Sequence, residues 1–166
     1  MSAAVRAATA ADAAAIAAIH NEGIEDRIAT FETRPRRPEE VAAQLAAGRP
    51  TLVAERDGAV AGWAAILPYS EREAYAGVGE ATLYVARTAR GRGVGGALLA
   101  ALLALAEEDG GHKLVGRILT SNAASIALAH RAGFRDVGVH RRHARLDDEW
   151  KDVLLVERLL GTAALT

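Results

Sequence analysis

A glycine-rich loop with two interleaved arginines is the part of the sequence best suited to bind a phosphate. Gly91, Gly93 and Gly96 have the G-x-G-x-x-G spacing, and Arg90 and Arg92 alternate with the first two glycines. An apolar helical pattern begins directly after the loop, so backbone N–H groups and two guanidinium groups would meet at a helix N-terminus, where anions bind. The loop therefore predicts a pyrophosphate site, although glycines also collect in loops that bind nothing.

Two common nucleotide-binding motifs do not fit this loop. A dinucleotide fold places the glycines in a β-α-β unit of a parallel sheet and needs an acidic residue about 20 residues later. Here an antiparallel meander precedes the loop, and the next strand, Lys113 to Leu119, contains no acidic residue. No Gly-Lys-Ser/Thr sequence follows the glycines, which excludes a triphosphate-binding loop.

The length and composition of the chain predict one soluble domain. Its 166 residues fit one domain spanning 1–166, and without cysteine it has neither disulfides nor thiolate zinc sites. The N-terminal residues lack a signal-peptide pattern, and the longest apolar run, Ala97 to Ala106, is much shorter than the roughly 20 residues of a membrane-spanning helix. With a net charge of −1, we interpret the basic cluster from His140 to Arg145 as a solvated hairpin face. We expect a cytoplasmic protein without nucleic-acid or membrane partners.

The pattern of elements predicts an α+β fold around one mixed, mostly antiparallel sheet flanked by helices, in the order β-α-α-β-β-β-α-β-α-β-β. Thr9 and Asp12 have the spacing of a capping box before a helix from about Ala10 to Asn21. The dipeptide Asp57-Gly58, between two apolar runs, is typical of a β-hairpin. The strand before the glycine loop alternates, so that one of its faces carries Glu80, Thr82 and Tyr84.

The glycine loop resembles the signature loop of the GNAT superfamily of acyl-coenzyme A-dependent N-acetyltransferases. Arg90, Gly93 and Gly95 match the pattern R/Q-x-x-G-x-G/A, and the segment Ala132 to Phe134 resembles the family's usual Leu-Gly-Phe ending of the next helix. The resemblance implies that the loop amides bind the pyrophosphate of acetyl-coenzyme A, that the strand before it pairs with the pantetheine arm, and that Asn122 contacts that arm. The implied cofactor-binding residues are Leu83, Tyr84, Val85, Arg90, Gly91, Arg92, Gly93, Val94, Gly95, Gly96, Asn122 and Ser125.

Within that superfamily the chain is most similar to the group that acetylates phosphinothricin, methionine sulfoximine and arsinothricin. The similar segments are Ala29 to Glu32, Arg72 to Tyr75, the strand from Glu80, and Trp150 to Val153. The resemblance implies an enzyme that acetylates the α-amino group of a small amino acid or glutamate analogue. It also implies a role in antibiotic resistance and a homodimeric assembly.

An α-ammonium group must lose a proton before it attacks a thioester, so a carboxylate should lie nearby. Glu80 is the candidate general base, because it begins the central strand and aligns with the group's proposed base. Arg72 matches a position that binds an acceptor anion, and Phe31 and Tyr75 would line the pocket.

Some residues depart from the family pattern. The tyrosine that many members use as a general acid is Ala129 here, and His130, one position later, should point elsewhere on the helix. A tryptophan common in the phosphinothricin enzymes is Gly77, which weakens the case for phosphinothricin itself. His140 and His143, three apart in a predicted strand, should lie on opposite faces, so we expect no metal site.

Two other functions remain open at this point. One is acetylation of a protein N-terminus or another amine by the same fold. The other is a non-catalytic coenzyme A-binding or nucleic-acid module, which only the basic hairpin and the missing tyrosine suggest.

Overall fold

The computed structural model of the chain describes residues 3–165. Its helices are α1 (Ala13–Asp26), α2 (Pro38–Ala46), α3 (Val94–Glu108) and α4 (Ala123–Arg131). Its strands are β1 (Ala4–Ala7), β2 (Thr51–Arg56), β3 (Ala59–Pro68), β4 (Val78–Val85), β5 (Lys113–Leu119), β6 (Arg135–Leu146) and β7 (Glu149–Leu159). The order along the chain confirms the predicted α+β arrangement.

The seven strands form one sheet in the order β1-β2-β3-β4-β5-β7-β6. All neighbours are antiparallel except β4 and β5, which are parallel and pair only from Val78 to Glu80 on β4. Beyond Glu80 the two strands diverge, because β4 follows β3 along its length while β5 follows β7. The sheet therefore has a gap between the second halves of β4 and β5.

The two faces of the sheet have separate cores. One face carries α1 and α2, where Ile16 and Ile19 pack against Val53 and Trp63. The other carries α3 and α4, and the α3 residues Leu98 and Leu102 are fully buried there. The alternation of β4 thus directs Glu80 and Tyr84 towards the α1 face, as the sequence predicts.

The predicted capping box anchors the first helical segment to β1. The Thr9 backbone N–H donates to Asp12 Oδ2 over 2.8 Å, and Arg6 donates to both oxygens of the buried Asp12 carboxylate. The hydrogen bonds from Arg6 lower the pKa of Asp12 to about 2. A short 3-10 turn, Ala10–Asp12, precedes α1.

Helix α1 extends five residues beyond its predicted end at Asn21. Gly23 does not stop the helix but allows a close contact, since a Cβ atom there would lie 2.7 Å from Tyr84 Cε1. The helix ends at Arg27, which has a left-handed backbone (φ 58°).

The expectation that His140 and His143 lie on opposite faces is wrong. Strand β6 bulges between His140 and Ala144. His140 is opposite Val153 and Ala144 is opposite Lys151, so β6 advances by four residues where β7 advances by two. Arg142 has φ 48°, and its N–H donates to Asp152 Oδ1 over 2.8 Å. The bulge breaks the two-residue alternation and stacks the two imidazole rings with centroids 4.6 Å apart. Among residues 3–165, no group of three or more histidine or acidic side chains could hold a metal ion.

Candidate active site

The glycine loop joins β4 to α3 and leaves open space in front of the helix N-terminus. Gly91 and Gly93 have positive φ angles of 73° and 83°, a conformation that favours glycine. A Cβ atom added at Gly91, Gly93 or Gly96 would meet no other atom within 4 Å. The first bond of the helix runs from the Ala97 N–H to the Gly93 carbonyl, so the N–H groups of the preceding turn have no partner within the helix. These features fit a pyrophosphate held by loop amides.

Arginine side chains fasten this loop to the end of α1. Arg90 Nε donates to the Val85 carbonyl over 3.1 Å, and its Nη1 lies 2.7 Å from Asp26 Oδ2. Arg87 also binds Asp26. Burial would raise the pKa of Asp26, but the hydrogen bonds from Arg87 and Arg90 outweigh it and lower the pKa. The Arg90 guanidinium group is thus paired with Asp26. The Arg92 carbonyl accepts a hydrogen bond from the Arg56 side chain.

A cleft of about 480 Å³ runs from the glycine loop along β4 to α4. Every predicted cofactor-binding residue except Arg92 lines it. Asn122 caps α4 by accepting the Ser125 N–H on Oδ1 over 3.2 Å, which leaves its amide NH₂ group free to donate to a ligand.

The gap between β4 and β5 connects this cleft to a second pocket on the α1 face. A smaller cavity of about 110 Å³ fills the gap, and Ala29 and Tyr84 line it as well as the spaces on either side. Tyr84 is held by stacking on Trp63, with ring centroids 5.2 Å apart, and by His20, 4.6 Å away. Burial raises the pKa of the Tyr84 hydroxyl, which keeps it neutral. The three spaces therefore adjoin one another beside Tyr84 at the gap in the sheet.

The second pocket, which we name the acceptor pocket, has a volume of about 570 Å³. Glu80 and Phe31 line it, as the sequence predicts. Glu80 is 18% exposed and pairs with Arg117, whose Nη1 lies 3.1 Å from Oε2. Glu80 thus presents a carboxylate, a group that can act as a base, to this pocket.

A hydrogen-bonded triad forms another wall of the acceptor pocket. The buried His20 bonds through Nε2 to Glu32 Oε2 over 2.9 Å, and Arg36 binds both oxygens of Glu32. Burial lowers the pKa of His20, so the ring is neutral and donates to the carboxylate. Burial would raise the pKa of Glu32, but hydrogen bonds from Arg36 and His20 outweigh it and lower the pKa. The triad fixes the segment before α2 against α1.

Arg72 and Tyr75 lie outside the three connected cavities. Both are exposed in the connection between β3 and β4, where the Tyr75 ring contacts Tyr69 edge-on with centroids 5.8 Å apart. Their roles stay predictions. Ala129 lines the small cavity, and His130 points away from it, with Nε2 2.7 Å from Asp136 Oδ1.

Arg117 and His143 are among the residues of the acceptor pocket that the sequence analysis did not predict. The predicted pairing of β4 with β5 was a usable signal for Arg117, which lies on the same face of β5 as Val115, the partner of Glu80. No signal was available for His143, because the bulge of β6 brings it to the pocket.

Comparison with known proteins identifies the family. Residues 16–134 match the sequence profile described as the acetyltransferase (GNAT) family. The chain belongs to the GNAT acetyltransferase family. This GNAT protein is therefore an acetyl-coenzyme A-dependent N-acetyltransferase.

Named relatives match the GNAT chain over most of its length. It is 36% identical to the phosphinothricin N-acetyltransferase of Alcaligenes faecalis, covering 93% of this chain and 81% of that one. It is 33% identical to an L-methionine sulfoximine/L-methionine sulfone acetyltransferase of Pseudomonas paraeruginosa, covering 95% and 94%.

Solved structures share the fold. A phosphinothricin acetyltransferase from Sinorhizobium meliloti, in complex with AcCoA, superposes with a TM-score of 0.93 at 32% identity, covering 100% of this chain and 92% of that one. A ribosomal-protein-alanine N-acetyltransferase from Brucella melitensis gives 0.89 at 35% identity, covering 95% and 99%. In the described part of the chain, no helix is both long and apolar enough to cross a membrane.

Proposed function

We propose that the protein transfers the acetyl group of acetyl-coenzyme A to the α-amino group of a small amino acid, with Glu80 as general base. The observation that carries this proposal is the row of three adjoining spaces that share Ala29 and Tyr84 in their linings across the gap in the sheet. The row has the glycine loop at one end and the carboxylate of Glu80 at the other. The names of the phosphinothricin and methionine sulfoximine relatives support an amino-acid acceptor.

In the proposed reaction Glu80 takes a proton from the acceptor's ammonium group, directly or through one water. The neutral amine then attacks the thioester carbonyl and a C–N bond forms. The C–S bond breaks to release the thiolate, and the nitrogen loses a second proton, which goes to the thiolate. The first proton leaves Glu80 for solvent. Because a thiol has a pKa near 8.5, the thiolate needs no dedicated acid to depart, which accommodates Ala129 at the position of the family's tyrosine.

The finer proposal is that the acceptor is a glutamate analogue of the arsinothricin, phosphinothricin or methionine sulfoximine type, and that the reaction confers resistance in the cytoplasm. The absence of cysteine fits a reducing compartment. Arg72, in the connection that leads into the Glu80 end of β4, is the residue we propose to bind an acceptor anion. Growth of a sensitive bacterium on these compounds, with and without the gene, tests the resistance role.

We also propose a homodimer. Four large apolar side chains on the β6–β7 hairpin are exposed, a feature of surfaces that bind another protein: Val137, Val139, Trp150 and Leu159. Light scattering in solution distinguishes the 17.4 kDa chain from its dimer.

Acetylation of a protein N-terminus is the second candidate, favoured by the name of the Brucella melitensis structure. The two activities are separated by supplying acetyl-coenzyme A with either free amino acids or a peptide that begins with alanine. Acetylation of free amino acids at higher kcat/KM supports the first proposal, and preference for the peptide supports the second.

A further inference from the structure

The acceptor pocket contains more positive than negative charge. Its acidic side chains, Glu32 and Glu80, are each paired with an arginine, namely Arg36 and Arg117. Arg49 also lines the pocket, and among residues 3–165 no acceptor lies within hydrogen-bond distance of its guanidinium group. One unpaired arginine thus remains in a pocket whose other charges are matched.

The register of the sheet places Arg49 at the far side of the pocket from β5. Arg49 stands two residues before β2: Thr51 is opposite Ala65, the Pro50 carbonyl accepts the Ile66 N–H over 3.0 Å, and Leu67 of β3 lines the same pocket as Arg49. Leu67 is in turn opposite Glu80. Arg49, Leu67 and Glu80 all line the acceptor pocket.

The surroundings of Arg49 disfavour the positively charged form of its guanidinium group. Partial burial and, after it, the neighbouring Arg36 cation lower the pKa of the Arg49 guanidinium below its usual value. The group stays protonated at neutral pH, since an arginine does not lose its proton in proteins. An anion beside Arg49 would supply the missing hydrogen bonds and offset the repulsion from Arg36.

We propose that Arg49 binds an anionic side-chain group of the acceptor amino acid. This inference rests on the proposed function. It specifies that the acceptor is an amino acid whose side chain ends in a negatively charged group, here called the head. Glu80 faces the amine, the apolar Leu67 lies beside the intervening carbon chain, and Arg49 binds the head. Arg72 remains available for the α-carboxylate, so the two arginines have separate roles.

The test compares two acceptors that differ in side-chain charge. Phosphinothricin carries an anionic phosphinate head and methionine sulfone a neutral sulfone head. The initial rate of coenzyme A release is measured with each acceptor for the unaltered enzyme, Arg49→Gln, Arg49→Lys and Arg37→Gln. Arg37 is 71% exposed and lines none of the described cavities, so Arg37→Gln is the charge-matched control. Phosphinothricin is also titrated by calorimetry, which needs no turnover.

We expect the unaltered enzyme and Arg37→Gln to prefer phosphinothricin. Arg49→Gln should raise the KM or Kd for phosphinothricin about tenfold or more, as expected for loss of a hydrogen bond to a charged group. Its KM for methionine sulfone should be unchanged, and Arg49→Lys should recover part of the affinity.

Equal effects on both acceptors, no effect of Arg49→Gln, or a preference of the unaltered enzyme for the neutral head would overturn the inference while leaving the proposed function intact. If the unaltered enzyme acetylates no amino acid, the proposed function fails first.

Discussion

Replacement of Glu80 by glutamine removes the proposed base while preserving the size of the side chain. The amide cannot accept the proton of the ammonium group, so we expect kcat to fall about 10²-fold or more. The KM for acetyl-coenzyme A should change little, because Glu80 lies on the far side of the sheet gap from the glycine loop.

The same substitution should have only a small effect on folding. It breaks the ion pair with Arg117, but that arginine is 47% exposed, and water can replace the lost partner. Partly exposed pairs of this kind contribute about 1 kcal/mol or less. The loss of activity and the loss of stability are therefore separable for this variant.

The assay is the rate of coenzyme A release at saturating acetyl-coenzyme A, measured from pH 6 to 9 for both proteins. Thermal unfolding of the same samples confirms that the variant is folded. Glu108→Gln is the control, since Glu108 is an exposed carboxylate at the end of α3. A Glu80→Gln enzyme that kept full kcat across this pH range would refute the assignment of the base.

Three further substitutions test other parts of the structure. Gly96→Val should raise the KM for acetyl-coenzyme A about tenfold without lowering Tm, because its new side chain enters open cleft at a helical position; an unchanged KM would count against the loop assignment. Arg72→Ala should raise the KM for the amino acid more than that for acetyl-coenzyme A, and equal changes would argue against a substrate role. Asp12→Asn should lower the free energy of unfolding by about 2 kcal/mol at pH 7, as measured with urea. Because the pKa of Asp12 is lowered from 3.8 to about 2 in the folded protein, this difference should persist above pH 4 and shrink as the pH falls towards 2; a constant difference would contradict the Asp12–Arg6 account.

The local features of the fold were predictable because short segments encode them. Asp57 and Gly58 both adopt positive φ angles, as a tight hairpin turn requires, and the chain reverses there as expected. The loop and the helix that follow β4 were likewise predictable, because the glycine spacing and the apolar helical pattern are both local signals.

The composition of the acceptor pocket was only partly predictable, because distant segments converge on it. Glu80 and Phe31 were found from resemblance to a family, whereas Arg117 lies on β5 and Arg49 just before β2, and the folding of the chain brings both to the pocket of Glu80. The bulge that brings His143 inward depends on a contact from Arg142 to β7, which no pattern within β6 reveals.

The central claim is that the adjoining spaces across the gap in the sheet bring acetyl-coenzyme A and the amine of an amino acid together at Glu80. Its most direct test is to incubate the purified protein with acetyl-coenzyme A and single amino acids, including methionine sulfoximine, phosphinothricin and arsinothricin. Coenzyme A release and the mass of the product are then measured. We predict stoichiometric coenzyme A release and an N-acetylated amino acid; no turnover with any of these amines would contradict the claim.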